Sequence, residues 1–503
     1  MFVRKKKNKS GVISIQVIDK SSGKYKLIKT IGSSSNTQEV ECLFGKGQQW
    51  IREYQGQFEI DFQDDKQLFS KFISGIQQVT VIGTDLLLGK IFDQIGFNQV
   101  KDELFRHLVL ARLCFPVSKL RTVDYLKKYH SVQIDEDSVY RYLDKLYDTQ
   151  KEIVQRISYQ HTLSILGGKI SIVFYDVTTL YFEIDNEDDL RRTGFSKEGR
   201  HQNPQIVLGL LVSIDGYPLV YEIFEGNKFE GHTMLPIIDS FRIKYNLEKL
   251  VIIADSGLLS NANITDLQTR GYEFILGARI RKESREIREK ILGLKLKNGE
   301  SHVIVKDSNT KLVISYSDTR AKKDKINREK GLRKLEKRIK SGRLTKASIN
   351  NRGYNKYLKL EGEINITIDR AKFEADGQWD GLKGYLTNTV LSKDEIIESY
   401  NHLWKIEKAF RISKTDLRLR PVYHRLQPRI ESHICIAFVA YKVYKELERQ
   451  LKEKGTALSP EKAIDIAKTI YSIKLVTPLN KEPMEQTLIL NEEQMLLAQL
   501  FQF

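Results

Sequence analysis

Two short apolar runs, KISIVFYD and LVIIAD, each run into an aspartate, Asp176 and Asp255. Nearly continuous apolar runs of this length suit strands buried on both faces. Between them, QIVLGLLVS and YPLVYEIF flank Ile214-Asp215-Gly216, a strong hairpin signal, and HTMLPIIDSFRIKYN reads as a helix. Beyond the second run, NANITDLQTRG reads as a helix and YEFILGARI as a strand. Residues 169–280 therefore predict three strands, a helix, a strand, a helix and a strand. That order specifies a mixed α/β layer and, with no internal repeat, excludes a solenoid.

The flanks differ in character. In residues 1–33, VISIQVID and YKLIKTIG alternate in part around the turn-forming DKSSGK, which predicts a small β unit. Residues 38–160 read as mostly helical. DELFRHLVLARLCF stops before Pro116, and SKLRTVDYLKKYH and DEDSVYRYLDKLYDTQKEIVQRI follow. The last has Asp137 or Ser138 as its expected N-cap, and Val139, Tyr142, Leu143, Leu146 and Tyr147 on one face. Such a helix pair in a basic protein fits either a DNA-reading helix-turn-helix or an ordinary bundle. Residues 281–390 carry alternating segments, SHVIVKD, KLVISYSD and EINITIDRAKF, which predict a β-rich insertion. Residues 393–415 and 429–454 read as strong helices.

Charge narrows the partner. The 503 residues include 82 Lys and Arg against 65 Asp and Glu, a formal net charge of +17. Residues 321–360 hold 15 of those cations, with only Asp324, Glu329 and Glu336 as acids. This concentration fits a surface facing a polyanion, most simply nucleic acid, or a solvated charged helix. Cys42, Cys114 and Cys435 lie far apart with no CxxC, which argues against a disulfide scaffold, a zinc ribbon or an iron–sulfur site and fits a reducing compartment. The basic N-terminus lacks the apolar core of a signal peptide, and no apolar run is long enough to span a membrane. GKGQQW and GSSSN lack the P-loop pattern, so no ATP site is expected. His201, His232, His402, His424 and His433 show no metal-ligand spacing, and His433, on an apolar helix, reads as a core residue.

A third acid completes a set. Placed on one helix from 396 to 414, Ile396, Tyr400, Trp404, Glu407, Arg411 and Lys414 share a direction, which sets Glu407 within an apolar and aromatic stripe. A carboxylate buried there without a cation costs on the order of several kcal/mol. Arg411 and Lys414 are in reach as ion-pair partners. A metal ion serves equally if Asp176 and Asp255 converge on the same point. Taken singly, each Asp suits a turn cap as well as a ligand site at a strand end. Taken together, three carboxylates with no Cys or His cluster favour Mg²⁺ or Mn²⁺, and two such ions support in-line phosphoryl transfer.

In this strand and helix setting, Asp176, Asp255 and Glu407 resemble the DDE triad of insertion-sequence transposases with an RNase H-like catalytic core. That family carries Tyr-x2-Arg-x3-Glu-x6-Lys around its Glu. Here Tyr400, Leu403, Glu407 and Lys414 occupy those positions, with Leu in place of Arg. FYDVTTLYFE, GFSKEGR, GLLVSIDGYPLVYEIFEGN, IIADSGLLS, YNHLWKIEKAFRISKTDLRLRPVYH and RIESHICIAFVAYKVY are similar to the branch with long β-rich insertions, over about residues 100–450. The 152-residue separation of Asp255 and Glu407 is too long for one loop and requires an inserted subdomain.

The resemblance implies catalysis and metal binding by Asp176, Asp255 and Glu407, with two Mg²⁺ ions for which Mn²⁺ can substitute. It implies that Tyr400 and Lys414 contact DNA phosphates at the transposon end. Leu403 has neither charge nor donor, so Arg411 or Lys408 is left to replace the signature Arg. The implied partners are double-stranded DNA, as terminal inverted repeats and as target, and a second copy of the chain in a homodimer on DNA, with no membrane. The implied location is the bacterial cytoplasm, with the nucleoid. The expected fold class is α/β mixed. Residues 1–75 form a small basic β-containing region and 76–165 a helical domain that is a candidate for DNA binding. Residues 166–280 and 391–455 make the two parts of the RNase H-like core, 281–390 the β-rich basic insertion and 456–503 a helical tail. A metal-dependent nuclease without strand transfer, and a non-catalytic repressor derived from such an enzyme, are the rival readings.

Overall fold

The computed structural model describes residues 1–55, 65–184, 186–196, 199, 202–258, 260–342, 344, 349–350, 353–361, 365–419, 422, 424–477 and 482–503. His201, parts of GFSKEGR, IIADSGLLS and RPVYH, and several positions of the basic stretch lie outside them. The chain forms two compact units: Met1–Gln78 with Ile473–Gln486, and Val79–Ser472 with Thr487–Phe503.

In the first unit, β1 (Phe2–Lys7), β2 (Ile13–Asp19) and β3 (Lys26–Ser34) form an antiparallel sheet in that order. The two expected strands are β2 and β3. FVRKKK adds β1, a strand whose run of cations hides its period. Ile15, Val17 and Ile18 of β2 are buried, and α1 (Thr37–Tyr54) packs on this sheet. Asn36 caps α1, its side chain accepting from the Gln38 N–H at 2.9 Å. Helix α2 (Asp65–Ser74) follows.

After β4 (Ile76–Val81) come α3 (Lys90–Ile95), α4 (Glu103–Cys114), α5 (Lys119–His130), α6 (Glu136–Lys145) and α7 (Lys151–Ile165). The helical reading of this stretch agrees, but the cap of α6 is Asp135, whose carboxylate accepts from the Ser138 N–H at 2.6 Å. Asp137 and Ser138 sit inside the first turn instead.

The second unit is organised by one eight-stranded sheet. β5 (Ile172–Tyr181), β6 (Gln205–Ser213) and β7 (Pro218–Glu225) form an antiparallel meander. Helix α8 (Met234–Tyr245) leads to β8 (Val251–Ala254), which pairs parallel to β5. Helix α9 (Asn261–Thr269) leads to β9 (Glu273–Ala278), parallel to β8. The order β7-β6-β5-β8-β9, three antiparallel strands continued by two parallel ones, is the RNase H-like core.

The insertion departs from expectation. After α10 (Arg285–Gly293), strands β10 (Ser301–Val305) and β11 (Lys311–Tyr316) do not build a separate β body. With β14 (Leu382–Thr387) they extend the core sheet past β9, in the order β10-β11-β14-β9. The unsatisfied edge of β9 is completed by antiparallel β14. Much of the basic stretch is α11 (Asp318–Lys340), a helix of 23 residues. Its cations obscure a narrow apolar stripe in which Leu332 and Leu335 are buried beside β12 (Leu358–Glu361), β13 (Asn365–Ile368) and α12 (Arg370–Gly377).

The single helix expected over 393–415 is broken. α13 (Lys393–Asn401) ends before a turn at His402–Leu403, and α14 (Trp404–Arg411) starts afresh. Ser392 and Glu395 close a capping box on α13. α15 (Gln427–Glu453) runs through the core and is buried along most of its length. The tail expected to be helical contains α16 (Pro460–Ala467), β15 (Tyr471–Val476), β16 (Pro483–Leu488) and α17 (Glu492–Phe501). Strands β16, β15 and β4 make a three-stranded sheet in that order. Among the described residues, no helix is long and apolar enough to cross a membrane.

The core holds several neutral imidazoles. Burial pushes His130 and His161 down to about 4, and His424 to about 3, from the ordinary 6.5. These groups stay uncharged in the fold but charge on unfolding below pH 6.5, so there the unfolded chain binds more protons. Stability is therefore lost as pH falls from about 6.5 toward 4. A melting-temperature series over this range should show the fall. In His161→Gln the free-energy slope should be shallower by up to about 1.4 kcal/mol per pH unit.

Candidate active site

Strand alternation places the first two acids. Tyr175 of β5 pairs with Ala254 of β8, which pairs with Leu276 of β9. These three side chains lie on one face of the sheet with Leu386, in the cluster covered by Met234, Ile238 and Phe241 of α8. Phe174, Ile253 and Ile275 lie on the other face, with Tyr385. By the period of two, Asp176 and Asp255 belong to that second face, side by side. Asp176 is half-buried and Asp255 exposed.

Asp176 is not the end of its strand, as the sequence reading has it. β5 continues to Tyr181 because its other edge still pairs with β6, with Asp176 opposite Leu210. What ends is the neighbour: β8 stops at Ala254, and Asp255 leads into the short 3-10 turn Ser256–Leu258. The pair of acids thus marks the point where the sheet opens on one side. The Asp176 carboxylate accepts from the Val177 N–H at 2.8 Å.

The face carrying the acids is covered by α13 and α14. Ile396, Tyr400, Leu403, Ile406, Ala409 and Phe410 are buried there, and α14 packs on β5. This corrects the expected stripe. The turn at His402–Leu403 shifts the phase, so Trp404 is 54% exposed and Glu407 is exposed rather than buried among aromatics. Glu407 forms no ion pair among the described residues, so the alternative pairing with Arg411 or Lys414 is not seen there. Leu403, at the signature Arg position, is a core residue.

Tyr400 is the best-defined side chain of the site. Its ring meets Tyr385 edge-on, with centroids 5.0 Å apart. Its hydroxyl closes on Gly277 of β9, where a Cβ would stand 2.4 Å from it and 3.0 Å from the Ser256 nitrogen. Burial, and then Asp255 and Glu407 among the charges it feels, push the Tyr400 phenol above its ordinary value. One phenol thus feels both acids.

Lys383, which the sequence reading missed, occupies the same place. Its Nζ lies over the Tyr400 ring, 4.4 Å from the centroid, and over Tyr385 at 5.2 Å. Burial, with a further push from Arg320 at the start of α11, lowers the Lys383 ammonium, while Asp255 and Glu407 oppose the shift. Two cations of the insertion therefore act on Tyr400, Lys383 over its ring and Arg320 through its charge. Only the lone cation in the apolar run GLKGYLT hinted at it. Of the other candidates, Lys408 is engaged by Glu448 of α15, Arg411 is exposed and Lys414 is half-buried in the turn Ile412–Asp416.

The donor chemistry fits a hard cation: carboxylates of Asp176 within β5 and of Asp255 just past the end of β8, and a third acid within electrostatic reach of the same phenol and ammonium. Among the described residues, no three His, Cys, Asp or Glu side chains are drawn up as a ready-made cage.

Residues 167–442, more than half of the chain, match the model of the transposase DDE domain. The chain belongs to that family. It is accordingly an enzyme of DNA cleavage and strand transfer. No curated protein has a significant match to the chain. Among solved structures, it is similar to piggyBac transposase in a synaptic complex with hairpin DNA, at 10% identity and a TM-score of 0.40, over 80% of this chain and 79% of that one. It is also similar to Mos1 transposase in a paired-end complex with the left transposon end, at 11% identity and a TM-score of 0.16, over 31% and 53%.

Gly277 makes a direct test of the transposase's site geometry. Gly277→Ala should destabilise the fold by about 1–3 kcal/mol through overpacking against Tyr400. In a denaturant double-mutant cycle, Tyr400→Phe should recover part of that loss, since the clash is with the hydroxyl.

Proposed function

We propose that this transposase binds the inverted terminal repeats of its own insertion sequence, cuts at their ends and joins them to target DNA. The supporting observation is the in-register pairing of Tyr175 with Ala254, the residues just before Asp176 and Asp255, in a sheet whose other face is covered by the helix of Glu407. In this reading the three acids hold two divalent cations, Mg²⁺ with Mn²⁺ as a substitute. Bound there, such ions supply Lewis-acid activation and charge neutralisation for phosphoryl transfer. Tyr400, Lys414 and Arg411, joined by Lys383 and Arg320, position the DNA phosphates. Lys408, held by Glu448, is left out of that set.

The chemistry is two in-line displacements at phosphorus. Water attacks the phosphodiester at the element's end; the new P–O bond forms as the bond to the 3′ oxygen breaks, and that oxygen leaves as a 3′-OH. The 3′-OH then attacks a target phosphodiester, and the target's own 3′ oxygen departs. Both steps transfer a phosphoryl group between oxygens, so one site serves both. The exposed cations of α11 supply the sequence-independent attraction to DNA. Two ends must be held together for joining, which favours a homodimer on DNA.

Labelled duplex carrying the element's own end, incubated with Mg²⁺ or Mn²⁺, tests the reading. Wild type should nick at the end and join a pre-cut end to target. Asp176→Asn and Glu407→Gln should each lose at least about a hundredfold in rate, and calorimetry should show their Mn²⁺ binding weakened. Undiminished cutting by both variants would end the assignment. Lys383→Met should retain Mn²⁺ binding but bind the DNA end less tightly, with a salt dependence reduced by about one phosphate contact in a titration against ionic strength.

A further inference from the structure

A second site lies away from these acids, where α4 turns into α5. A cavity of about 520 Å³ opens there, with Arg112, Ser118, Lys119, Arg418, His424 and His433 in its wall. Arg112 is 4% exposed and Lys119 5%. Charged side chains are almost never buried to this degree unless paired, and these two have no acidic partner among the described residues. Arg112 reaches His433 Nδ1 at 3.4 Å, and its buried Nε has no hydrogen-bond partner. The Lys119 ammonium makes no hydrogen bond or ion pair with any described residue. The nearby acids are occupied: Glu136 accepts from the Tyr140 hydroxyl at 3.0 Å, and Asp144 pairs with Arg429 at 3.0 Å.

The electrostatics point one way. Burial lowers the Arg112 guanidinium to about 10, and burial together with Arg112 lowers the Lys119 ammonium. Burial and then these two cations push down His424 and His433. His433 is thereby neutral. With Nδ1 accepting from Arg112, its Nε2–H is left to donate to the Leu419 carbonyl at 3.4 Å. The ring therefore offers no negative charge. The first turn of α5 adds the backbone N–H groups of Lys119 and Leu120, which have no intrahelical acceptor, while Ser118 Oγ accepts from the Arg121 N–H.

Buried cations, free N–H groups and a cavity together make a receptor for a compact oxyanion. We propose that this cavity binds a phosphate group, held between Arg112, Lys119 and the N-terminus of α5. The group comes either from a DNA backbone or from a free phosphate. None of the residues invoked belongs to the carboxylate site, so this inference stands apart from the function proposed above.

The test uses the full-length protein, with melting temperatures in millimolar potassium phosphate and in potassium chloride of equal ionic strength. Phosphate should raise the wild-type value by several degrees, and also that of Lys119→Arg, which keeps the charge. Lys119→Met should lose the shift. In chloride, Lys119→Met should melt at or above wild type, because an uncompensated charge has been removed from the interior. Duplex binding separates the sources. If the occupant is a backbone phosphate, Lys119→Met weakens duplex binding several-fold and free phosphate competes with DNA. If it is a free phosphate, duplex binding is unchanged while the thermal shift remains specific to wild type and Lys119→Arg. Equal phosphate shifts in wild type and Lys119→Met, or no shift in wild type, would overturn the proposal.

Discussion

The parallel pairing of β5 with β8 is the contact on which the candidate site depends. Its register, Tyr175 opposite Ala254, fixes which residues of the two strands stand level. Because side chains alternate, a slip of one residue would send one aspartate to the face packed against α8, among Ile238 and Phe241. In the observed register Tyr175 and Val177 beside Asp176, and Ala254 before Asp255, fill the face packed by α8, which leaves the acids to the other face. The four-residue length of β8 then releases Asp255 from the sheet while β6 still holds β5 straight. Tyr400 follows from the same frame: it enters only because Gly277, one residue past the β9 partner of Ala254, has no side chain.

The net positive charge is handled in two physically different ways. On α11 most cations face water, where each is solvated and available to a polyanion. Inside the fold, a cation must have its donors satisfied. Lys442 of α15 is completely buried and donates to the Ser158 carbonyl at 3.0 Å and to the Thr162 hydroxyl. Lys119, almost as deeply buried, has no such acceptor among the described residues and faces a cavity instead. The contrast between these two lysines separates a structural burial from an unfinished one.

Sequence periodicity carried the core well. The meander, the two parallel strands and their helices follow from unbroken apolar runs, because a strand buried on both faces leaves little choice of residue. It failed where a local pattern was overruled by distant partners. β10 and β11 alternate as expected, yet nothing local says that they prolong the core sheet through β14, because the free edge of β9 that recruits β14 is a tertiary feature. The helix of Glu407 was misphased since the break at His402–Leu403 has no Pro or Gly to announce it. Lys383 was illegible for a similar reason: it meets Tyr400 only through the pairing of β14 with β9.

What the sequence alone determined is the order of the three acids, their strand and helix settings, the family pattern around Glu407 and the loss of its Arg. These are properties of neighbours along the chain, where a period of two or of 3.6 is enough to read a face. The tertiary structure decided that Asp176 lies within its strand, that Glu407 is exposed, that cations of the insertion approach the acids, and that Arg112 and Lys119 share a cavity. Each of these depends on how residues far apart in sequence are paired or buried, and neither pairing nor burial is fixed by local periodicity.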